Sequence, residues 1–141
     1  MENVTLSAEK VIDIRFNEVD SMGIVWHGNY AKYFEDAREA FGQKYGLEYL
    51  RIYHHGYFAP LVELHFNYKR PLQYQRQARV VVTYRPSNAA KIIFDYEIFD
   101  LETGDLAATG HSVQVFVDLN RQLVLQTPDF YDVWKKNIGV K

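Results

Sequence analysis

One carboxylate raises the chemical question. Asp20 stands in the run R-F-N-E-V-D-S-M-G-I-V-W-H-G-N-Y, residues 15–30, three positions before Gly23 and seven before His27. The run continues as A-K-Y-F-E-D-A-R, where the spacing of aromatic residues becomes helical. Strand, turn, then helix is an order that can hold an ionised acid near the positive end of a helix. Acyl transfer needs such a pair: a group that attacks or activates water, and a donor for the developing oxyanion. Taken alone, Asp20 also fits a turn aspartate bonded to its own backbone. His27 falls at or just before the helix start, where backbone N–H groups lack intrahelical partners. Its imidazole could equally hold a backbone carbonyl or line a pocket wall.

The elements that must position these groups read as follows. Ile12, Ile14 and Phe16 alternate with Asp13 and Arg15, the pattern of a half-buried strand. Residues 20–23 read as a turn. Tyr30, Tyr33, Phe34, Ala37, Phe41 and Tyr45 share one helical face, with Asn29 placed as N-cap and Gly46 as C-terminal stop. Residues 48–56 fit either a short helix or a loop. Val62, Leu64, Phe66 and Tyr68 alternate with polar residues, and strands follow at 78–85, 91–99 and 106–117. Pro86-Ser87-Asn88 and E-T-G-D at 102–105 supply turns, and Gly110 marks a bulge or a close-packing point. Residues 118–121 turn the chain into a short apolar stretch at 123–125. Thr127-Pro128 predicts an N-cap and first-turn proline for a last helix ending near Lys136. One long helix followed by antiparallel strands is an α+β arrangement in a single domain, residues 1–141.

Composition narrows the chemistry. A net charge of −2 argues against binding nucleic acid through phosphate neutralisation. The chain contains no cysteine, so disulfides, a thiol nucleophile and thiolate metal ligands are excluded. His54-His55, His65 and His111 have no metal-ligand spacing, and neither a G-x-S-x-G elbow nor a glycine-rich nucleotide loop occurs. No metal and no cofactor are expected. No apolar run approaches membrane-spanning length and no signal peptide is evident, so the cytoplasm is the default location. Glu35 and Arg38, three residues apart on the helix, are expected to form a structural pair.

Residues 20–38 also resemble the signature of the 4-hydroxybenzoyl-CoA thioesterase family, roughly D-x-x-G-x-V-x-[HY]-x-x-Y-x-x-x-[FL]-E-x-A-R. The matching positions are Asp20, Gly23, Val25, His27, Tyr30, Phe34, Glu35, Ala37 and Arg38. The strand order and the late P-D-F-Y helix are similar too, so the resemblance covers nearly the whole chain. It implies the hotdog fold, an antiparallel sheet wrapped around one long central helix, and hydrolysis of acyl-CoA. Asp20 would be the nucleophile, through a mixed anhydride, or the general base for water. The His27 amide would polarise the thioester carbonyl. Gly23, Trp26 and Tyr30 would contact the substrate, with Ser87, Asn88 and Lys91 facing coenzyme A. A homodimer or homotetramer with sites at subunit interfaces is implied as well. Two alternatives remain open: an acyl-carrier-protein thioesterase, favoured if Lys69, Arg70, Arg76, Arg79 and Arg85 form a basic rim, and a non-catalytic acyl-binding module.

Overall fold

The computed structural model describes residues 5–140. Strand β1 (Ser7–Asp13) leads into a loop with two single 3-10 turns, Phe16–Glu18 and His27–Asn29. The second turn runs directly into helix α1 (Tyr30–Tyr45), followed by the short helix α2 (Tyr49–His54). Strands β2 (Tyr57–Phe58), β3 (Leu61–Tyr68), β4 (Gln77–Arg85), β5 (Lys91–Asp100), β6 (Leu106–Val115) and β7 (Val117–Asp118) come next, then helix α3 (Asp129–Ile138). Five strands pair in the order β1-β4-β5-β6-β3, all antiparallel, while β2 pairs with β7.

The aromatic face of α1 lies on this sheet because its residues recur at helical spacing. Tyr30, Tyr33, Phe34, Ala37 and Phe41 are all buried, as the sequence predicts. They meet alternate residues of the strands: Val80, Val82 and Tyr84 on β4, and Ile92, Phe94, Tyr96 and Ile98 on β5. Phe34 stacks between Phe66 (ring centroids 5.2 Å apart) and Tyr96 (4.3 Å). Truncating a side chain so enclosed costs about 3–5 kcal/mol. Gly46 ends α1 in a left-handed conformation, φ 76°, with its N–H bonded to the Gly42 carbonyl at 2.8 Å.

Several boundaries differ from the sequence reading. β1 begins earlier, and Phe16 leaves the strand to lie 74% exposed in the first 3-10 turn. Ile12 and Ile14 are buried, but the alternation stops there because the chain bends away from the sheet edge. Asn29 stands at the N-cap position of α1 as expected, but with helical angles and no capping bond; its side chain donates instead to the Glu18 carbonyl at 2.8 Å. The undecided segment is helix α2. The strand read at 106–117 breaks at the fully buried Phe116. Pro128 itself occupies the N-cap of α3, with Asp129 opening the helix.

Register defines two ends of the sheet. Asp13 pairs with Gln77, so the 14–25 loop lies at the Gln77 end, where the Ile14 N–H also bonds to the Arg76 carbonyl. Ser7 pairs with Thr83, and Leu61, Gln114 and Ile92 share the opposite end with the β4–β5 turn. The nine residues of β4 separate the two ends by about 27 Å.

Candidate active site

Asp20 sits in a tight hairpin closed by an isolated bridge between Val19 and Val25. Its N–H donates to the Ile24 carbonyl at 2.8 Å, and its own carbonyl accepts from Gly23 N–H at 3.0 Å. Asp20 Oδ1 accepts from Met22 N–H at 2.8 Å, so the Asx turn that a lone aspartate suggests does form. Oδ2 makes no hydrogen bond among the described residues, and the side chain is exposed. One oxygen holds the carboxylate in place while the other remains available. Gly23, at φ 75°, closes this turn in a conformation that favours glycine.

The hairpin returns to the helix start. Trp26 N–H donates to the Glu18 carbonyl at 2.9 Å, and His27–Asn29 then winds into α1. The N–H groups of His27 and Gly28 have no protein acceptor among the described residues. They lie at the positive end of a 16-residue helix, where an oxyanion would be stabilised. The His27 carbonyl is fixed by Tyr68 Oη, which donates at 3.0 Å. Trp26 is half exposed and packs against the His27 ring, centroids 4.9 Å apart. A Cβ on Gly28 would fall 2.1 Å from the Trp26 ring, so the glycine leaves that ring its place. Tyr30 points inward and is 3% exposed. Burial, aided by nearby Tyr68, pushes its hydroxyl up to about 12, so it stays neutral around pH 7.

Sequence reasoning passed over Glu18, two residues before Asp20. Its side chain is buried and accepts from Arg15 N–H at 2.8 Å and Tyr33 Oη at 3.1 Å, with Lys32 Nζ at 2.6 Å. Burial alone would raise its pKa, but the Lys32, Arg15 and Tyr33 bonds prevail and hold it below the usual carboxylate range. No periodicity could have found it, because a buried glutamate in an irregular loop reads as an ordinary surface acid.

The remaining expected contacts lie at the other end of the sheet. Ser87 Oγ accepts from Ala89 N–H at 3.0 Å, its carbonyl takes Lys135 Nζ at 2.9 Å, and Asn88 and Lys91 are exposed. Within one chain they do not meet Asp20. A cavity of about 700 Å³ opens at that same end between α1, α2 and the sheet. Phe41, Leu47, Leu61, Ile92 and Phe94 line it, with Arg38 as its cation. Arg38 reaches Tyr96 Oη at 3.4 Å and Glu35 at 3.9 Å, so the expected helix pair is present but long. The proposed basic rim is not a block of free charge. Arg76, Arg79 and Arg85 bind Asp100, Glu9 and Asp95 within 3.0 Å, and Arg70 lies 4.0 Å from Asp105. Among the described residues no group of three potential ligands could hold a metal ion, and no helix is long and apolar enough to cross a membrane.

An antiparallel sheet closed over one long aromatic helix is the hotdog arrangement, and the family and relatives of this chain mark it as a thioester hydrolase of that fold. Residues 14–138 match the model of the thioesterase-like superfamily, and the chain belongs to that family. It is 30% identical over 133 residues to YneP of Bacillus subtilis (strain 168), named provisionally as an acyl-CoA thioesterase. That alignment covers 92% of this chain and 96% of YneP. Among solved structures it is similar to a DHNA-CoA thioesterase from Staphylococcus aureus, with a TM-score of 0.82 and 29% identity over 94% of this chain and 91% of that one. A 1,4-dihydroxy-2-naphthoyl-CoA thioesterase from Synechocystis shares the fold, with a TM-score of 0.80 at 19% identity, covering 94% of this chain and 97% of that one.

Proposed function

We propose that the chain hydrolyses acyl-CoA to the free carboxylic acid and coenzyme A, with Asp20 and the His27 amide as the reacting pair. The observation that carries this reading is the hairpin itself. It presents a carboxylate with one oxygen unbonded and, where the same hairpin enters α1, unpartnered helix-start amides. A thioester carbonyl accepting from His27 N–H would develop its negative charge against the helix start. As nucleophile, Asp20 adds to the carbonyl carbon and expels the coenzyme A thiolate, leaving a mixed anhydride that water hydrolyses. As general base, it takes a proton from a water that attacks the same carbon; the adduct expels the coenzyme A thiolate, and the proton passes from Asp20 to that leaving group. Both routes consume one water and return Asp20 as a carboxylate.

A second copy completes the site in this reading. Asp20, Trp26 and His27 are exposed in one chain, where water weakens every electrostatic contact. β3 is a sheet edge whose outer side pairs with no strand among the described residues. Antiparallel pairing of two β3 edges about a two-fold axis sets the Tyr68 end of one copy beside the Leu61 end of the other. Since Tyr68 holds His27 and Leu61 lines the cavity, that pairing turns the acid and amides of one copy toward the cavity of its mate. The Ser87–Lys91 turn of the mate comes with it. The test is thiol release from short, long and aromatic acyl-CoAs. The chain has no cysteine, so a thiol reagent sees only released coenzyme A. Turnover of at least one member supports the reading, and turnover of none removes it.

A further inference from the structure

Glu18 touches both halves of the reacting pair, through its carboxylate and through its backbone carbonyl. Its side chain is 5% exposed and meets three donors: Arg15 N–H before it, and Lys32 and Tyr33 on the first turn of α1. Its carbonyl accepts two more bonds, from Trp26 N–H at 2.9 Å and Asn29 Nδ2 at 2.8 Å. Trp26 and Asn29 flank the His27 and Gly28 amides. Asp20 follows Glu18 by two residues, after the Val19–Val25 bridge. Glu18 therefore ties the base of the Asp20 hairpin to the residues that flank the open amides.

We infer that Glu18 is a positioning residue of the thioester site, the clamp that fixes the Asp20 hairpin against the first turn of α1. The inference rests on the proposed acyl-CoA reading. A salt bridge that merely stabilises a fold can sit anywhere along a helix. This one joins the segment before Asp20 to the turn after His27, and its backbone carbonyl reinforces the same junction. Arg15 N–H and Tyr33 Oη share Oε1 while Lys32 Nζ takes Oε2, so an amide in place of the carboxylate loses the charge and sets its NH2 against a donor whichever way it turns. The hairpin then loses its tether to the helix while the sheet and the rest of α1 stay packed. A displacement of about 1 Å between reacting groups can cost on the order of a hundredfold in rate.

The test compares Glu18→Gln with Trp134→Phe. Trp134 Nε1 donates to the Tyr45 carbonyl at 2.7 Å, remote from Asp20, so its variant reports stability loss alone. Steady-state kinetics on the best acyl-CoA are measured well below both melting temperatures, together with exchange of the Trp26 amide hydrogen. The expected result for Glu18→Gln is a kcat lowered about tenfold to a hundredfold, KM within about threefold, and faster Trp26 exchange. Trp134→Phe keeps its kcat. Wild-type kcat in Glu18→Gln, or an equal loss in Trp134→Phe, overturns the assignment. Should Glu18→Gln fail to fold, Tyr33→Phe removes one bond of the clamp. A lowered kcat then supports the inference, and an unchanged one overturns it. If wild-type protein turns over no acyl-CoA, the functional reading fails, and Trp26 exchange alone decides: faster in Glu18→Gln supports the clamp, unchanged overturns it.

Discussion

Replacing Gly110 with alanine tests how tightly the central helix is seated. Gly110 lies on β6 opposite Phe66 of β3 on one side and Tyr96 of β5 on the other. Phe34 of α1 drops its ring into the space above the glycine and stacks between those two aromatics. An alanine Cβ would fall 2.1 Å from Phe34 Cε2, 2.4 Å from its Cζ and 3.1 Å from the His65 carbonyl. An ordinary carbon–carbon contact needs about 3.5–4.0 Å, so the ring must move by more than about 1 Å. It has nowhere to go, since Phe34 is 0% exposed with neighbours on both faces. Overpacking of this kind costs about 1–3 kcal/mol, and the severity of the overlap places it at the upper end. Alanine recovers about 0.5–1 kcal/mol of backbone entropy relative to glycine, leaving a net loss of about 2 kcal/mol. For a chain of this size that lowers Tm by about 5–10 °C, read by calorimetry or circular dichroism. The double variant Gly110→Ala with Phe34→Leu should lose at least about 1 kcal/mol less than the sum of the single losses, because the smaller side chain makes room. A Gly110→Ala protein that melts with the wild type, or strict additivity, would refute the seating of α1 described here.

Two further outcomes follow from the same geometry. Asp100 is buried, and although burial alone would raise its pKa, the Arg76 guanidinium and the Glu102 and Thr103 N–H groups hold it below the usual carboxylate range. A native pKa below the unfolded one stabilises the fold fully above about pH 4 and progressively less as pH falls through the native value. Urea midpoints measured from pH 7 to pH 2 should therefore decline on acidification, and Asp100→Asn should decline less steeply across the acid range; parallel curves would contradict the assignment. Second, light scattering at micromolar concentration should give a mass of about 33 kDa or a multiple of it, the chain being 16.6 kDa. His65→Lys, at the middle of the β3 edge, sets like charges close together across the two-fold axis and should shift the protein toward monomer and remove turnover with it, whereas a fully active monomer would break the two-copy site.

The fold was legible wherever burial followed a period. The aromatic stripe of α1 and the alternation on β3, β4 and β5 each report a single buried face, and local geometry fixes how such a face repeats. Gly110 was readable as a close-packing point, though its partner, Phe34, lies on a different element and needed the three-dimensional structure. Where the chain leaves regular structure, periodicity carries no information. Phe16 continues the β1 alternation in sequence but swings out with the loop, and Asn29 has the chemistry of a cap yet bonds to Glu18 instead. The proposed site divides in the same way. Asp20, Gly23 and His27 were legible from turn chemistry and from their spacing ahead of a helix. Glu18 was not, because its worth comes from partners 3, 14 and 15 residues away. The separation of Ser87, Asn88 and Lys91 from Asp20 depends on strand register, which alternation alone leaves open.

The most direct test of the account is thiol release from acyl-CoA by wild-type protein and by Asp20→Asn, with melting temperatures as a check on folding. Asparagine keeps the size of the side chain and the acceptor for Met22 N–H, but it can neither attack the thioester as a carboxylate nor take a proton from water. The account predicts a fall in kcat of about a hundredfold or more in a variant that remains folded. Turnover within about threefold of wild type would contradict it and move the chemistry away from Asp20.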